Sequence, residues 1–298
     1  MNRELEIPNS KFKIPNSDLP IGIFDSGVGG LTVYRALHER LPDEHFVYLG
    51  DTARVPYGTK SLATVERYAV ENARFLEAHS IKLLVVACNT ASALALPAIR
   101  RAVDVEVIGV IEPGARAAVA AAKGRPIAVI ATEATVQSGA YSRAIRKIDP
   151  ATDVVERACP LFVPLAEEGW ADSEVAASVA EHYLHDLRGF ETSALVLGCT
   201  HYPILQLVIS KAIGANVTLI DSGEATAYQV ELLLKNRELS RPPSARGETE
   251  RQLCDDLDHF YVTDAAQRFA SVAERFLGAA PSVLEAVEIW GHDELRTQ

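Results

Sequence analysis

The chain has 298 residues, of which 48% are hydrophobic and 23% are charged, and its net charge is −11 at pH 7. This length suits about two domains, and the composition is that of a globular chain rather than a disordered one. The acidic balance argues against nucleic acid as a ligand, because phosphate binding needs a basic face. No apolar run approaches the roughly 18 residues that a membrane helix needs, so we expect no membrane partner.

The four cysteines are Cys88, Cys159, Cys199 and Cys254. They form neither a CxxC pair nor a zinc-ligand spacing, so we predict no metal site. Scattered thiols without a secretory signal fit a reducing cytosol, and we expect a cytoplasmic protein. Residues 1–20 are polar, and the segment Ile-Pro-Asn-Ser occurs in them twice. We predict a poorly ordered N-terminal tail with no role in chemistry.

Strand and helix patterns alternate from residue 21 onward, which predicts an α/β fold with parallel sheets. The predicted strands are Ile21–Phe24, His45–Leu49, Leu83–Ala87, Glu106–Val110, Pro126–Ala131, Asp153–Arg157, Ala194–Leu197, Val217–Ile220, His259–Val262 and Val287–Trp290. The predicted helices are Leu31–Leu41, Leu62–His79, Ala91–Arg101, Val136–Ile148, Glu174–Leu187, Pro203–Ile213, Glu224–Leu234 and Ala265–Leu277.

Polar and reactive residues gather where the predicted strands end. In a parallel sheet these positions share one edge, and ligands bind there. Taken singly, each such residue is equally well a helix cap, but the whole set favours a site. The set is Asp25, Ser26, Asp51, Thr52, Cys88, Asn89, Thr90, Glu112, Thr132, Cys199, Thr200, His201, Asp221, Ser222 and Asp264.

Cys88 and Cys199 occupy matching places, each between a strand and a helix. A helix N-terminus or a nearby histidine such as His201 lowers the pKa of a thiol. Two thiols on opposite faces of a planar carbanion can invert a stereocentre, because one removes a proton and the other returns one. The alternative is that both are buried structural cysteines, which is how we interpret Cys159 and Cys254.

Two pairs of short, similar sequence segments suggest that the chain has two similar halves. Phe24-Asp25-Ser26-Gly27 resembles Ile220-Asp221-Ser222-Gly223, and Ala87-Cys88-Asn89-Thr90 resembles Gly198-Cys199-Thr200-His201. We predict a linker near Glu112-Pro113-Gly114 and a return crossing near Gly223. Backbone N–H groups after each thiol could hold a carboxylate, and the turn Pro56-Tyr57-Gly58 could form a wall of the site.

Several long motifs, in order, resemble the glutamate racemases of the cofactor-independent aspartate/glutamate racemase superfamily. The resemblance runs from about Ile21 to the C-terminus. The motifs that carry it are residues 22–32 (GIFDSGVGGLT), 50–58 (GDTARVPYG), 87–92 (ACNTAS), 159–165 (CPLFVPL) with 167–169 (EEG), and 198–203 (GCTHYP).

The resemblance implies interconversion of L- and D-glutamate without a cofactor, to supply peptidoglycan synthesis. It implies that Cys88 acts on the D-enantiomer and Cys199 on the L-enantiomer, assisted by Asp25 and His201 respectively. An acidic residue of the pair Glu167-Glu168 would also assist, and we favour Glu167. The substrate-binding residues implied are Asp25, Ser26, Tyr57, Gly58, Asn89, Thr90, Thr132, Thr135, Thr200 and His201.

The family fold is two similar α/β domains, each a mainly parallel sheet flanked by helices, with the active site in the cleft between them. Its topology places residues 21–114 and 224–298 in the first domain and residues 115–223 in the second. Homodimers are usual in the family, so we expect one here.

Two alternatives stay open at this point. The substrate could be aspartate or another acidic amino acid. The chain could instead be a binding protein, since two α/β domains around a cleft also suit a small-ligand or protein binder. A binder needs no thiols in its cleft. A thiol redox enzyme is disfavoured because the chain has no CxxC pair.

Overall fold

The computed structural model describes residues 16–242 and 251–289. The predicted tail lies outside the described residues as far as residue 15. The end of that segment is held against the folded chain: Asn16–Asp18 forms a 3-10 helix, and the buried Lys82 ammonium donates to Ser17 O at 2.8 Å. No helix within the described ranges is both long enough and apolar enough to cross a membrane.

The strands form two parallel sheets. They are β1 (Ile21–Asp25), β2 (Phe46–Gly50), β3 (Leu83–Val86), β4 (Glu106–Gly109), β5 (Ile127–Ala131), β6 (Val154–Ala158), β7 (Ala194–Gly198), β8 (Thr218–Asp221), β9 (His259–Val262) and β10 (Leu284–Ala286). The first sheet has the order β10-β9-β2-β1-β3-β4 and the second the order β6-β5-β7-β8.

The helices cover both sheets. They are α1 (Leu31–Arg40), α2 (Leu62–Ala78), α3 (Asn89–Leu94), α4 (Leu96–Ala102), α5 (Ile111–Ala122), α6 (Glu133–Ser138), α7 (Ala140–Ile148), α8 (Phe162–Glu167), α9 (Glu174–Leu184), α10 (Gln206–Ile213), α11 (Ser222–Asn236) and α12 (Ala266–Leu277). The central strands β1, β3, β5 and β7 are buried along their whole length, as expected where helices cover both faces of a parallel sheet. The predicted α/β class with two flanked parallel sheets is confirmed.

Every predicted strand except the last begins and ends within one residue of the limits of an observed strand. The last prediction, Val287–Trp290, is wrong: the strand is β10, which pairs Leu284 with Phe260 on β9, and Trp290 lies outside the described residues. Only one neighbour pairs with this edge strand. Its limits are therefore set by the backbone ladder rather than by the apolar run that guided the prediction.

Two predicted helices are each divided into two. The helix predicted over 136–148 is α6 and α7, which are separated by Gly139 at φ +59°. A left-handed residue ends a helix, and glycine adopts that conformation without strain. The helix predicted over 91–101 is α3 and α4, and Pro97 stands in the first turn of α4, where a missing N–H costs nothing.

At the predicted linker near Glu112-Pro113-Gly114 the chain is helical, because these residues begin helix α5. Pro113 lies in the first turn, where proline is tolerated. A Cβ at Gly114 would lie 3.3 Å from the Tyr141 ring, so this glycine allows close packing rather than a flexible link. Helix α5 packs on α7 and α11 and carries the chain from the first sheet to the second.

The chain returns to the first sheet through α11, which begins at Ser222, beside the predicted crossing at Gly223. Strand β9 then pairs with β2 of the first sheet. The predicted limits at 114/115 and 223/224 fall inside α5 and α11, and the domain limits themselves stay a prediction. Both sheets present their carboxyl edges to one cleft, where Thr32 Oγ1 on α1 donates to Thr200 O at 2.8 Å.

Candidate active site

A cavity of about 70 Å³ lies between the carboxyl edges of the two sheets. All the site residues implied by the family resemblance except Asp25 and Thr135 line it. The other members of the strand-end set do not line it, and these are Asp51, Thr52, Glu112, Asp221, Ser222 and Asp264. Its lining is Ser26, Gly27, Val55, Pro56, Tyr57, Gly58, Cys88, Asn89, Thr90, Thr132, Val163, Glu167, Cys199, Thr200 and His201. Pro56 belongs to the turn that was predicted to form a wall of the site. The apolar members Val55 and Val163 were not predicted, since nothing in an apolar side chain alone marks it as part of a site.

Cys88 follows β3 and begins helix α3. Its thiol donates to Ser26 Oγ at 3.5 Å and accepts from the Ala91 N–H at 3.4 Å. Burial and the charge of Asp25 together raise the pKa of Cys88 to about 12, although these two hydrogen bonds oppose the rise. At neutral pH Cys88 therefore carries its proton, and once deprotonated it is a strong base.

Asp25 ends β1 and is fully buried behind the cavity rather than on its wall. Its Oδ2 accepts from the Gly27 N–H at 2.8 Å, while Oδ1 has no partner among the described residues. Burial raises the pKa of this carboxyl, against the opposing charge of His201. Asp25 therefore acts on the site through its charge, which affects Cys88, and it does not line the cavity.

Cys199 follows β7 on the opposite wall and contacts a hydrogen-bonded pair. Its Sγ lies 3.8 Å from His201 Nδ1, and His201 Nε2 lies 3.0 Å from Glu167 Oε1. Burial lowers the pKa of His201, but the hydrogen bonds to Cys199 and Glu167 outweigh it and raise the pKa to about 10. The same bond to His201 lowers the pKa of Glu167. The charged His201–Glu167 pair gives this thiol a cationic neighbour.

The sequence left Glu167 and Glu168 unresolved, and the geometry separates them. Glu167 lines the cavity and bonds to His201. The Glu168 side chain is 63% exposed and lies 3.5 Å from Arg268. Of the two, only Glu167 is placed to act on the site.

Hydroxyl and amide groups fill the floor between the two thiols. Thr90, Thr132 and Thr135 form a triangle of hydroxyl contacts at 3.0, 3.0 and 3.2 Å, which explains how Thr135 supports the site without lining it. Asn89 Oδ1 accepts from Tyr141 OH at 2.7 Å. The Asn89 Nδ2 group is left buried without a partner among the described residues, so its donors are available to an anion.

The Tyr57 ring forms part of the wall, but its hydroxyl points away from the cavity. It donates to Asp51 Oδ2 and accepts from Asn72 Nδ2 at 3.0 Å. Gly58 approaches the second sheet so closely that a Cβ would lie 3.0 Å from Thr132 Cβ. Both residues shape the cavity through the turn that carries them. The described part of the chain holds no cluster of three or more His, Cys, Asp or Glu side chains that could bind a metal.

Comparison with known proteins agrees with this geometry. The family model for Asp/Glu/hydantoin racemases matches residues 21–230. A glutamate racemase of Geobacter metallireducens is 54% identical over 258 residues, which cover 87% of this chain and 92% of that protein.

Solved structures are similar over nearly their whole length. Glutamate racemase isoform RacE1 of Bacillus anthracis superposes with a TM-score of 0.84 at 36% identity, covering 91% of this chain and 98% of that one. The glutamate racemase of Francisella tularensis in complex with D-glutamate gives 0.82 at 38% identity, covering 92% and 98%. As its motifs predicted, this chain belongs to the Asp/Glu/hydantoin racemase family, in which these relatives are glutamate racemases.

Proposed function

We propose that the chain interconverts L- and D-glutamate with Cys88 and Cys199 as two acid–base groups and without a cofactor. The observation that carries this proposal is that one small cavity receives a thiol from each sheet. The identity of 54% to a glutamate racemase supports glutamate as the substrate. A pure binding protein would need the polar floor of the cavity but neither thiol.

With D-glutamate, the Cys88 thiolate takes the α-proton and becomes a thiol, and the electron pair of the C–H bond delocalises into the α-carboxylate. The Cys199 thiol then gives its proton to the opposite face of the α-carbon and becomes a thiolate, giving L-glutamate. Reaction from L-glutamate runs the same steps in reverse, so the enzyme alternates between two protonation states.

The two walls support their thiols differently. His201, whose pKa is raised to about 10, places a cation 3.8 Å from the Cys199 thiol. Cys88, with its raised pKa, starts as a thiol. The proton that Cys88 carries is the one it would donate when L-glutamate is converted to D-glutamate. Following the family, we assign to Asp25, whose charge acts on Cys88, the role of assisting that thiol in the reverse direction.

The floor residues are proposed to bind the substrate through neutral donors. Asn89 Nδ2 and the hydroxyls of Ser26, Thr90, Thr132 and Thr200 suit carboxylate oxygens. Helix N-termini add backbone N–H groups, which favour anions. Following the family, we assign the product D-glutamate to peptidoglycan synthesis and the protein to the cytoplasm. The homodimer stays a prediction.

The test is purified protein with D-glutamate in deuterated water and no added cofactor. We expect the α-proton signal to disappear in NMR while the circular dichroism of the sample falls to zero, because the proton that returns comes from a solvent-exchanged thiol. If aspartate but not glutamate gives this result, the substrate is aspartate and the assignment of glutamate is wrong. Binding without exchange would favour the binding-protein alternative.

Glu167→Gln should lower kcat/KM about tenfold and move the alkaline limb of its pH profile to lower pH. Glu167 helps to raise the pKa of His201 to about 10. A neutral glutamine supports that proton less well, so His201 deprotonates at lower pH. The measurement is racemisation across about pH 6–11, a range that contains the His201 pKa of about 10.

Glu168→Gln is the matched control, since it is the same substitution one residue away on an exposed side chain. It should leave both the rate and the pH profile at wild-type values. If the two variants behave alike, Glu167 has no special role beside His201.

A further inference from the structure

Helix α12 belongs to the first sheet's half of the molecule, yet it contacts the His201–Glu167 pair of the other half. Arg268 Nη2 lies 3.3 Å from Glu167 Oε2. Arg275, two turns later, donates to the main-chain carbonyl of Glu167. The edge of the Phe276 ring faces the His201 ring, with 6.0 Å between the centroids and 88° between the planes. One helix thus touches the pair at three points.

The two carboxylate oxygens of Glu167 have separate partners. Oε1 faces His201 Nε2 at 3.0 Å, and Oε2 faces Arg268. A carboxylate held at both oxygens cannot rotate without breaking one contact. Arg275 fixes the backbone that carries the carboxylate, and its side chain also packs over Gly169. The orientation of Glu167 toward His201 is therefore set from the other half of the molecule.

We propose that Arg268 and Arg275 are positioning residues that hold Glu167 against His201 and thereby favour proton transfer at Cys199 rather than at Cys88. This inference rests on the two-thiol function proposed above. Neither arginine lines the cavity, so both act through Glu167. Because the contacts cross the cleft, they are complete only when the two halves are closed on each other.

The effect on overall rate should be modest, because the Arg268 side chain is 64% exposed and exposed ion pairs contribute little. Arg268→Gln should lower kcat/KM about two- to fivefold. Enantiomers have equal free energies, so kcat/KM must fall equally in the two directions in any variant. Rates alone therefore cannot show which thiol is affected.

Substrate isotope effects in ordinary water separate the two steps. α-Deuterated L-glutamate reports on proton removal by Cys199, and α-deuterated D-glutamate reports on removal by Cys88. If Arg268→Gln slows the Cys199 step, the isotope effect on kcat/KM should rise with the L-substrate and fall with the D-substrate. Arg275→Gln should shift both effects in the same sense. Arg268→Lys, which keeps the cation, should return both toward wild-type values.

Arg116→Gln is the matched control. Arg116 is also an exposed arginine in an ion pair, with Glu112, but it lies away from the cavity. It should leave both isotope effects unchanged. Unchanged or parallel effects in Arg268→Gln, with a racemising wild type, would overturn the positioning role. A wild type that does not racemise glutamate would instead overturn the proposed function itself.

Discussion

Racemisation of glutamate should fall about 10³-fold in both Cys88→Ser and Cys199→Ser. In the proposed mechanism each thiol supplies one of the two proton transfers. A serine hydroxyl at the same place is a far weaker acid, and its alkoxide is scarcely formed. Loss of either group should therefore block inversion in both directions, because each thiol would act as base in one direction and as acid in the other. The measurement is kcat/KM from each enantiomer by circular dichroism.

Cys254→Ala is the control. Cys254 is also buried, but it packs near Tyr34 in the first half, where its backbone N–H donates to Tyr34 OH at 2.8 Å. It should lose a little thermal stability through the truncated side chain and keep its rate within about twofold. Full activity in either serine variant in both directions would remove the two-thiol mechanism.

The sequence predicted the strand ends well because a parallel sheet imposes a strict local rule. Apolar runs such as Leu83–Val86 end where the next residues turn toward the cleft, so Cys88 and Asn89 were placed without any knowledge of packing. The same rule also predicted site residues among single acids that do not line the cavity. Asp221 accepts from the Gly223 N–H at 2.7 Å as the cap of α11, and it does not line the cavity. Capping was the correct interpretation there.

Contacts between distant segments were not predictable from the local pattern. Asp51 was one of the strand-end acids, but its carboxylate accepts hydrogen bonds from the Tyr57 hydroxyl and the Arg54 guanidinium. These contacts lie behind the cavity wall. Arg268 and Arg275 carry no local signal at all, since arginines on an amphipathic helix are ordinarily solvated. They contact Glu167 only because the fold brings α12 beside the C-terminal end of α8, and that approach depends on how the two halves close.

Gly29→Ala should lower kcat/KM about 10²-fold, although residue 29 does not line the cavity. A Cβ there would lie 2.2 Å from Thr200 Oγ1 and 2.5 Å from His201 Nδ1. Thr200 and His201 both belong to the opposite half, and they are the two residues that follow Cys199 in the chain. Either the loop or the Thr200 and His201 side chains must shift to relieve the clash. A shift of about 1 Å in catalytic groups is enough for a loss of this size.

Gly189→Ala provides the comparison, because a Cβ at that position meets no atom within 4 Å. It should keep the wild-type rate, whereas Gly29→Ala should also lose roughly 1–3 kcal/mol of stability through overpacking. Thermal unfolding separates the two effects: the folded fraction of Gly29→Ala at assay temperature sets how much of the loss is misalignment. A folded Gly29→Ala enzyme with near wild-type kcat/KM would mean that the cleft accommodates an extra carbon between its halves. Cys199 and His201 would then not depend on the tight approach of the loop that follows β1.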